Sequence, residues 1–190
     1  MLITELDLAL DLGAHLDAVG APWCIGGSVA SSLLGIPRAT LDVDLVADLR
    51  MAHVNPLCAA LVATYYVDED TCRWAVATRR SFNAIHLATM VKLDVFCAKD
   101  DALSRAELER RLLLDVGGRS VPVCSAEDII LQKLLWFVES GGSERQWGDA
   151  RGVAEIRRGQ LDNRYLATHA AGNGLTELLA RLLAEAEPRI

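Results

Sequence analysis

Apolar and small residues recur at helical spacing over residues 2–19 (Leu2, Leu6, Ala9, Gly13, Leu16, Val19), which predicts an amphipathic helix stopped by Gly20 and Pro22. Trp23-Cys24-Ile25 is a short apolar run ahead of Gly26-Gly27 and reads as a buried strand entering a turn. Ser28–Leu34 reads as helix, and Gly35 and Pro37 break it. From Leu41 to Val46 the pattern alternates, with Leu41, Val43 and Leu45 on one face and Asp42 and Asp44 on the other. Asn55-Pro56 predicts a helix start, Asn as cap and Pro at the first helical position. Residues 65–80 carry no clear period. Two strands are predicted over 82–88 and 90–97, a helix over 102–113, and a hairpin about Gly117-Gly118. After residue 124 the pattern turns helical. Ser125-Ala126-Glu127-Asp128 is a capping-box sequence, and further helices are expected over 144–158, 162–171 and 174–186. The expected division is an α/β domain over 1–124 and a helical region over 125–190.

The strand-borne acids change the picture from architecture to chemistry. Residues i and i+2 of a strand share a face, so Asp42 and Asp44 stand side by side. Two adjacent carboxylates repel unless they meet water or a cation. A hard divalent ion suits them, because Mg²⁺ takes one or two carboxylates and completes its shell with water and phosphate oxygens. The plain alternative is a half-exposed strand with a solvated acidic face. Asp94 stands in the middle of a second alternating run, Met90–Phe96, where Asp is disfavoured. It would complete a two-metal site, or else pair with Lys92 on its own face.

Gly26-Gly27-Ser28 lies between a strand and a helix. Glycine lets backbone approach a ligand closely, and the following helix N-terminus offers free N–H groups to a phosphate. The Ser28 hydroxyl adds a donor. Arg38 precedes the acid pair and would meet either Asp42, Asp44 or a phosphate. Lys133 lies within the apolar helix Ile129–Val138, where it would snorkel to the surface. Asp149 is a surface acid, a partner for Lys or Arg, or a catalytic group.

Composition narrows the classes. The 190 residues are 52% hydrophobic and 24% charged, which is the balance of a folded domain with a core. The net charge of −7 argues against an extended DNA binder, since phosphate neutralisation needs a basic surface. No apolar run is long enough to span a membrane, and the acidic N-terminus is not a signal peptide. Five scattered cysteines without a C-x-x-C pair fit single buried thiols and a reducing, cytoplasmic setting. His15, His53, His86 and His169 lack metal-ligand spacing, and nucleophile-elbow, Rossmann and P-loop motifs are absent from the sequence.

The glycine turn, the Asp-x-Asp about a dozen residues on and the later strand Asp together resemble the nucleotidyltransferase superfamily of DNA polymerase beta-like fold. GGSVASSLLGIPRATLDVDL, VKLDVF and SAEDIILQKLLWF look like the bacterial abortive-infection toxin-type members of that group, over about residues 20–185. The resemblance implies a mixed sheet flanked by helices, followed by a helical C-terminal region. It implies transfer of a nucleoside monophosphate from a nucleoside triphosphate, with Mg²⁺ (Mn²⁺ as the alternative) and release of pyrophosphate. Asp42, Asp44 and Asp94 would bind metal, with Asp94 either the third ligand or the group activating the acceptor. Gly26, Gly27 and Ser28 would hold the triphosphate, and Arg38 and Lys133 would contact phosphate or substrate. The acceptor would be a hydroxyl of an RNA end, a protein or a small molecule, and an antitoxin would be a partner. The rival reading is a catalytically silent nucleotide-binding or protein-interaction module on the same fold.

Overall fold

The computed structural model describes residues 4–40 and 42–187. The chain forms two compact units: Met1–Gly26 with Thr40–Val123, and Gly27–Ala39 with Cys124–Ile190. Residues 27–39, expected with the first domain, thus cluster with the C-terminal helices.

The first unit is built on one seven-stranded mixed sheet of order β3-β4-β5-β2-β1-β7-β6. Its strands are β1 (Trp23–Ile25), β2 (Val43–Ala47), β3 (Tyr65–Tyr66), β4 (Ser81–His86), β5 (Lys92–Cys97), β6 (Leu112–Val116) and β7 (Arg119–Val123). The central strand β2 runs antiparallel to β1 and parallel to β5, and β1 runs parallel to β7. Ile25, Val43, Leu45, Leu93, Val95, Val121 and Val123 are fully buried and form the sheet's share of the core. Helix α1 (Glu5–Ala18) packs on β1 and β2. Its reciprocal Thr4–Asp7 capping box fixes its start, and Leu8, Ala9, Leu12, Gly13 and Leu16 form its buried stripe. Two-residue hairpin loops favour left-handed backbone, and Gly117 and Gly118, both at positive φ, supply it between β6 and β7.

Three expectations need correction. The helix expected to open at Asn55-Pro56 starts earlier, as α3 (Met51–Leu61), with Pro56 inside it. The burial of Val54, Leu57 and Leu61 sets this helix, and His53 Nδ1 accepts the Arg50 N–H at its start. The stretch without a period resolves into β3 and α4 (Glu69–Thr78), capped by Asp68. The helix expected over 102–113 ends earlier, as α5 (Ala102–Glu109), and the leucines that follow form β6.

The second unit holds α2 (Gly27–Leu34), α6 (Ala126–Glu139), α7 (Glu144–Ile156), α8 (Asn163–Gly172) and α9 (Thr176–Glu185). Helices α6 and α7 pack together, α2 lies against both, and α8 and α9 complete the group. Ser125 caps α6 by accepting the Asp128 N–H at 3.2 Å. A Cβ added at Gly35 would stand 2.6 Å from the Val153 nitrogen, so only glycine lets the chain after α2 approach α7 so closely. No helix among the described residues is long and apolar enough to cross a membrane.

Candidate functional site

In the first unit, parallel pairing of β2 with β5 makes Asp44 and Asp94 direct register partners. Register partners on neighbouring strands share a face, so both carboxylates stand on the same side of the sheet. Val43, Leu45, Leu93 and Val95, alternating with them, are fully buried and fix which face that is. On the other side of β5, Asn83 of β4 pairs with Asp94. Asn83, Asp94 and Asp44 therefore form a polar row across three strands. The hairpin alternation carried the signal for Asn83, but only the β4–β5 register reveals it.

Asp42 lies just before β2 and is exposed, where strand geometry had been expected. Its N–H meets the Thr40 hydroxyl at 3.3 Å. Leu41, the expected inward neighbour, lies outside the described residues. Gly26 is buried at the end of β1, and its N–H donates to the Asp44 carbonyl at 2.9 Å. The glycine turn and the second acid are thus joined through backbone.

Asp94 also pairs with Lys92, whose Nζ lies 2.5 Å from Oδ2. The pairing with Lys92 expected as the alternative for Asp94 is therefore present. Among the described residues the oxygens of Asp42, Asp44 and Asp94 do not all come within 4.8 Å of one another. Two same-face carboxylates remain, with hard oxygen donors of the kind Mg²⁺ takes in pairs, so the residues fit a divalent cation.

In the second unit, Gly27 opens α2 at φ 54°, a left-handed conformation that suits glycine. Ser28 follows in the first turn and is 7% exposed. Arg38, expected at Asp42, Asp44 or a phosphate, pairs with Asp149. It grips Asp149 with two bonds, Nε to Oδ1 at 2.7 Å and Nη2 to Oδ2 at 2.8 Å, and Nη2 also donates to the Ser28 hydroxyl at 2.7 Å. Lys133 does not snorkel out. Its side chain is 1% exposed, and its Nζ lies 2.9 Å from Asp149 Oδ2 and 3.4 Å from Ser28 Oγ. The ammonium also sits 5.2 Å from the Trp136 ring centroid.

Asp149 is thus the common anion of two cations. Burial alone would raise its carboxyl, but hydrogen bonds from Arg38 and Lys133, reinforced by their charges, hold it below the usual carboxylate value. Both cations lie within hydrogen-bond reach of the Ser28 hydroxyl as well.

No protein-family model and no curated protein sequence matches the chain. Solved structures do. The antibiotic-resistance factor ANT(2'')-Ia aligns over 92% of this chain and 100% of its own, at 19% identity and TM-score 0.55. The lincosamide antibiotic adenylyltransferase LnuA, solved with lincomycin, aligns over 80% of this chain and 96% of its own, at 16% identity and TM-score 0.52. An antigenic nucleotidyltransferase-like protein from Paracoccidioides brasiliensis aligns over 98% of this chain and 94% of its own, at 18% identity and TM-score 0.52. The fold of this chain is the nucleotidyltransferase fold.

Proposed function

We propose that the protein is a divalent-metal-dependent nucleotidyltransferase. It would move a nucleoside monophosphate from a nucleoside triphosphate to a hydroxyl of a small polar acceptor. The observation that carries this reading is the same-face register of Asp44 and Asp94 on parallel strands of that fold. Asp44 and Asp94, with Asp42, would hold the cation, with Mg²⁺ the expected ion and Mn²⁺ the alternative. Bound there, the cation would neutralise phosphate charge and lower the acceptor hydroxyl's pKa. Gly27 and Ser28 would receive phosphate oxygens at the start of α2. Arg38 and Lys133, oriented by Asp149, would supply the positive charge. Gly26 shapes the turn through its bond to the Asp44 backbone.

In chemical terms, the acceptor oxygen would bond to the α-phosphorus as the bond to the β-phosphate oxygen breaks. The acceptor proton would leave to a carboxylate of the acidic set or to water, and pyrophosphate would depart. A small acceptor is favoured over RNA by two observations. The net charge of −7 opposes a polyanion. Two structural neighbours act on antibiotics: LnuA on a lincosamide, and ANT(2'')-Ia, solved with adenylyl-2''-tobramycin. The toxin of a toxin–antitoxin pair rests on sequence resemblance alone.

The Lys92–Asp94 contact favours a second reading, a silent nucleotide-binding module in which lysine stands in for the cation. The deciding experiment measures pyrophosphate release from each nucleoside triphosphate with Mg²⁺, against aminoglycoside, lincosamide, nucleoside and RNA acceptors. Acceptor-dependent release that Asp44→Asn abolishes supports transfer. Binding of triphosphate without release, across the whole panel, supports the silent module.

A further inference from the structure

The described sheet ends at β6, and its outer edge carries no further strand. Sheet edges present unpaired N–H and C=O groups and are commonly blunted by charge or proline. This one is instead leucine-rich: Leu113 is 70% exposed and Leu112 is also exposed. Its backbone phase can be read from the hairpin. With a two-residue loop, Val116 and Arg119 form the closing hydrogen-bonded pair, so Leu114 and Leu112 spend their backbone groups on β7. Leu113 and Asp115 turn theirs outward. Pro122, which has no N–H to give, stands opposite Leu113 and agrees with this phase.

From the residue just before β6 the sequence along the edge is Arg111-Leu112-Leu113-Leu114-Asp115. Read against itself in the antiparallel sense about Leu113, it is complementary. Leu113 meets the second copy's Leu113, Leu112 meets Leu114, and Arg111 meets Asp115 twice over. Residues 111, 113 and 115 share one face, so the Leu113–Leu113 contact is flanked by two opposite-charge pairs. Both side chains keep capacity for this: Arg111 donates from Nη1 to the Leu108 carbonyl, and Asp115 accepts the Gly118 N–H on Oδ1 only. A two-fold axis through Leu113 also makes 113–113 a hydrogen-bonded pair, the pairing its outward backbone groups require.

We propose that β6 is a self-complementary homodimer edge, where two copies join antiparallel about Leu113 into a continuous sheet. The strand is short, so the dimer is a weak one. Equilibrium sedimentation of the full chain from micromolar to millimolar concentration tests it. A monomer–dimer equilibrium is expected in the wild type. Leu113→Lys, a change at an exposed position, abolishes it. Arg111→Asp alone or Asp115→Arg alone weakens association about tenfold by setting like charges opposite each other. The two changes together restore it, which a merely structural effect would not do. Leu113→Cys gives a second test, because hydrogen-bonded antiparallel partners stand within disulfide reach. It should yield a reducible dimer that the wild type does not. A chain that stays monomeric throughout overturns the proposal and leaves the edge to another protein's strand or to water. So does a dimer that Leu113→Lys leaves intact.

Discussion

Asp44 and Asp94 are register partners on β2 and β5, and Lys92, two residues from Asp94, reaches back to the same carboxylate at 2.5 Å. A cation already stands at Asp94, and it is the protein's own. A divalent ion arriving at Asp94 must displace this exposed ammonium. Lys92→Gln should therefore tighten Mg²⁺ binding several-fold, read by calorimetric titration in the presence of triphosphate. Weaker binding in that variant would mean that Lys92 assists the site.

Lys133 is buried, and its Nζ lies 2.9 Å from Asp149 Oδ2. Removing one member of a buried pair leaves the other uncompensated, at a cost of about 3–5 kcal/mol. Asp149→Ala should lower stability by about that amount in denaturant unfolding. Adding Lys133→Met should recover a large part of it, since an apolar side chain of similar length needs no counter-charge.

The same pair gives a pH dependence. The folded Asp149 carboxyl titrates below its ordinary value of 3.8. Its stabilising contribution is therefore fully present above that ordinary value and is lost as pH falls through the lower folded one. Wild-type stability should drop on acidification below about pH 4. Asp149→Asn should show a shallower drop over that window. Equal slopes in the two proteins would show that Asp149 is not the group responsible.

Much of this was legible in the chain. The β1–turn–α2 unit, the β4–β5 hairpin, the Gly117-Gly118 turn and the C-terminal helices follow from local period and punctuation. The sequence also marked Asp42, Asp44 and Asp94 through acids set among buried-type neighbours. What local pattern could not supply was pairing. Nothing near Arg38 points to Asp149, 111 residues away, so Asp42, Asp44 or a phosphate stood as its expected partners. Lys133 in an apolar helix reads as a side chain that snorkels or meets a phosphate or substrate, and its carboxylate partner comes only with α7. The alternation at β2 breaks because Val46 and Ala47 are buried beside Leu45, as central strands allow.

Gly35 tests the packing that holds the second cluster. It lies between α2, which carries Ser28, and Arg38, and any Cβ there would collide with the α7 backbone at Gly152 and Val153. Backbone cannot swing aside as a side chain can, so Gly35→Ala should destabilise by about 1–3 kcal/mol. Thermal unfolding would register it as a lower midpoint. An unchanged midpoint would show that the helices can separate without cost.

A metal-dependent triphosphate site built on the strand acids would lose its nucleotide when those acids are removed. The most direct measurement is calorimetric titration of each of the four ribonucleoside triphosphates with Mg²⁺ into wild type and into Asp42→Ala/Asp44→Ala, both confirmed folded by circular dichroism. Mg²⁺-dependent binding of at least one triphosphate is expected in the wild type, and none in the double variant. Undiminished binding in the double variant, or none in the wild type, would contradict such a site.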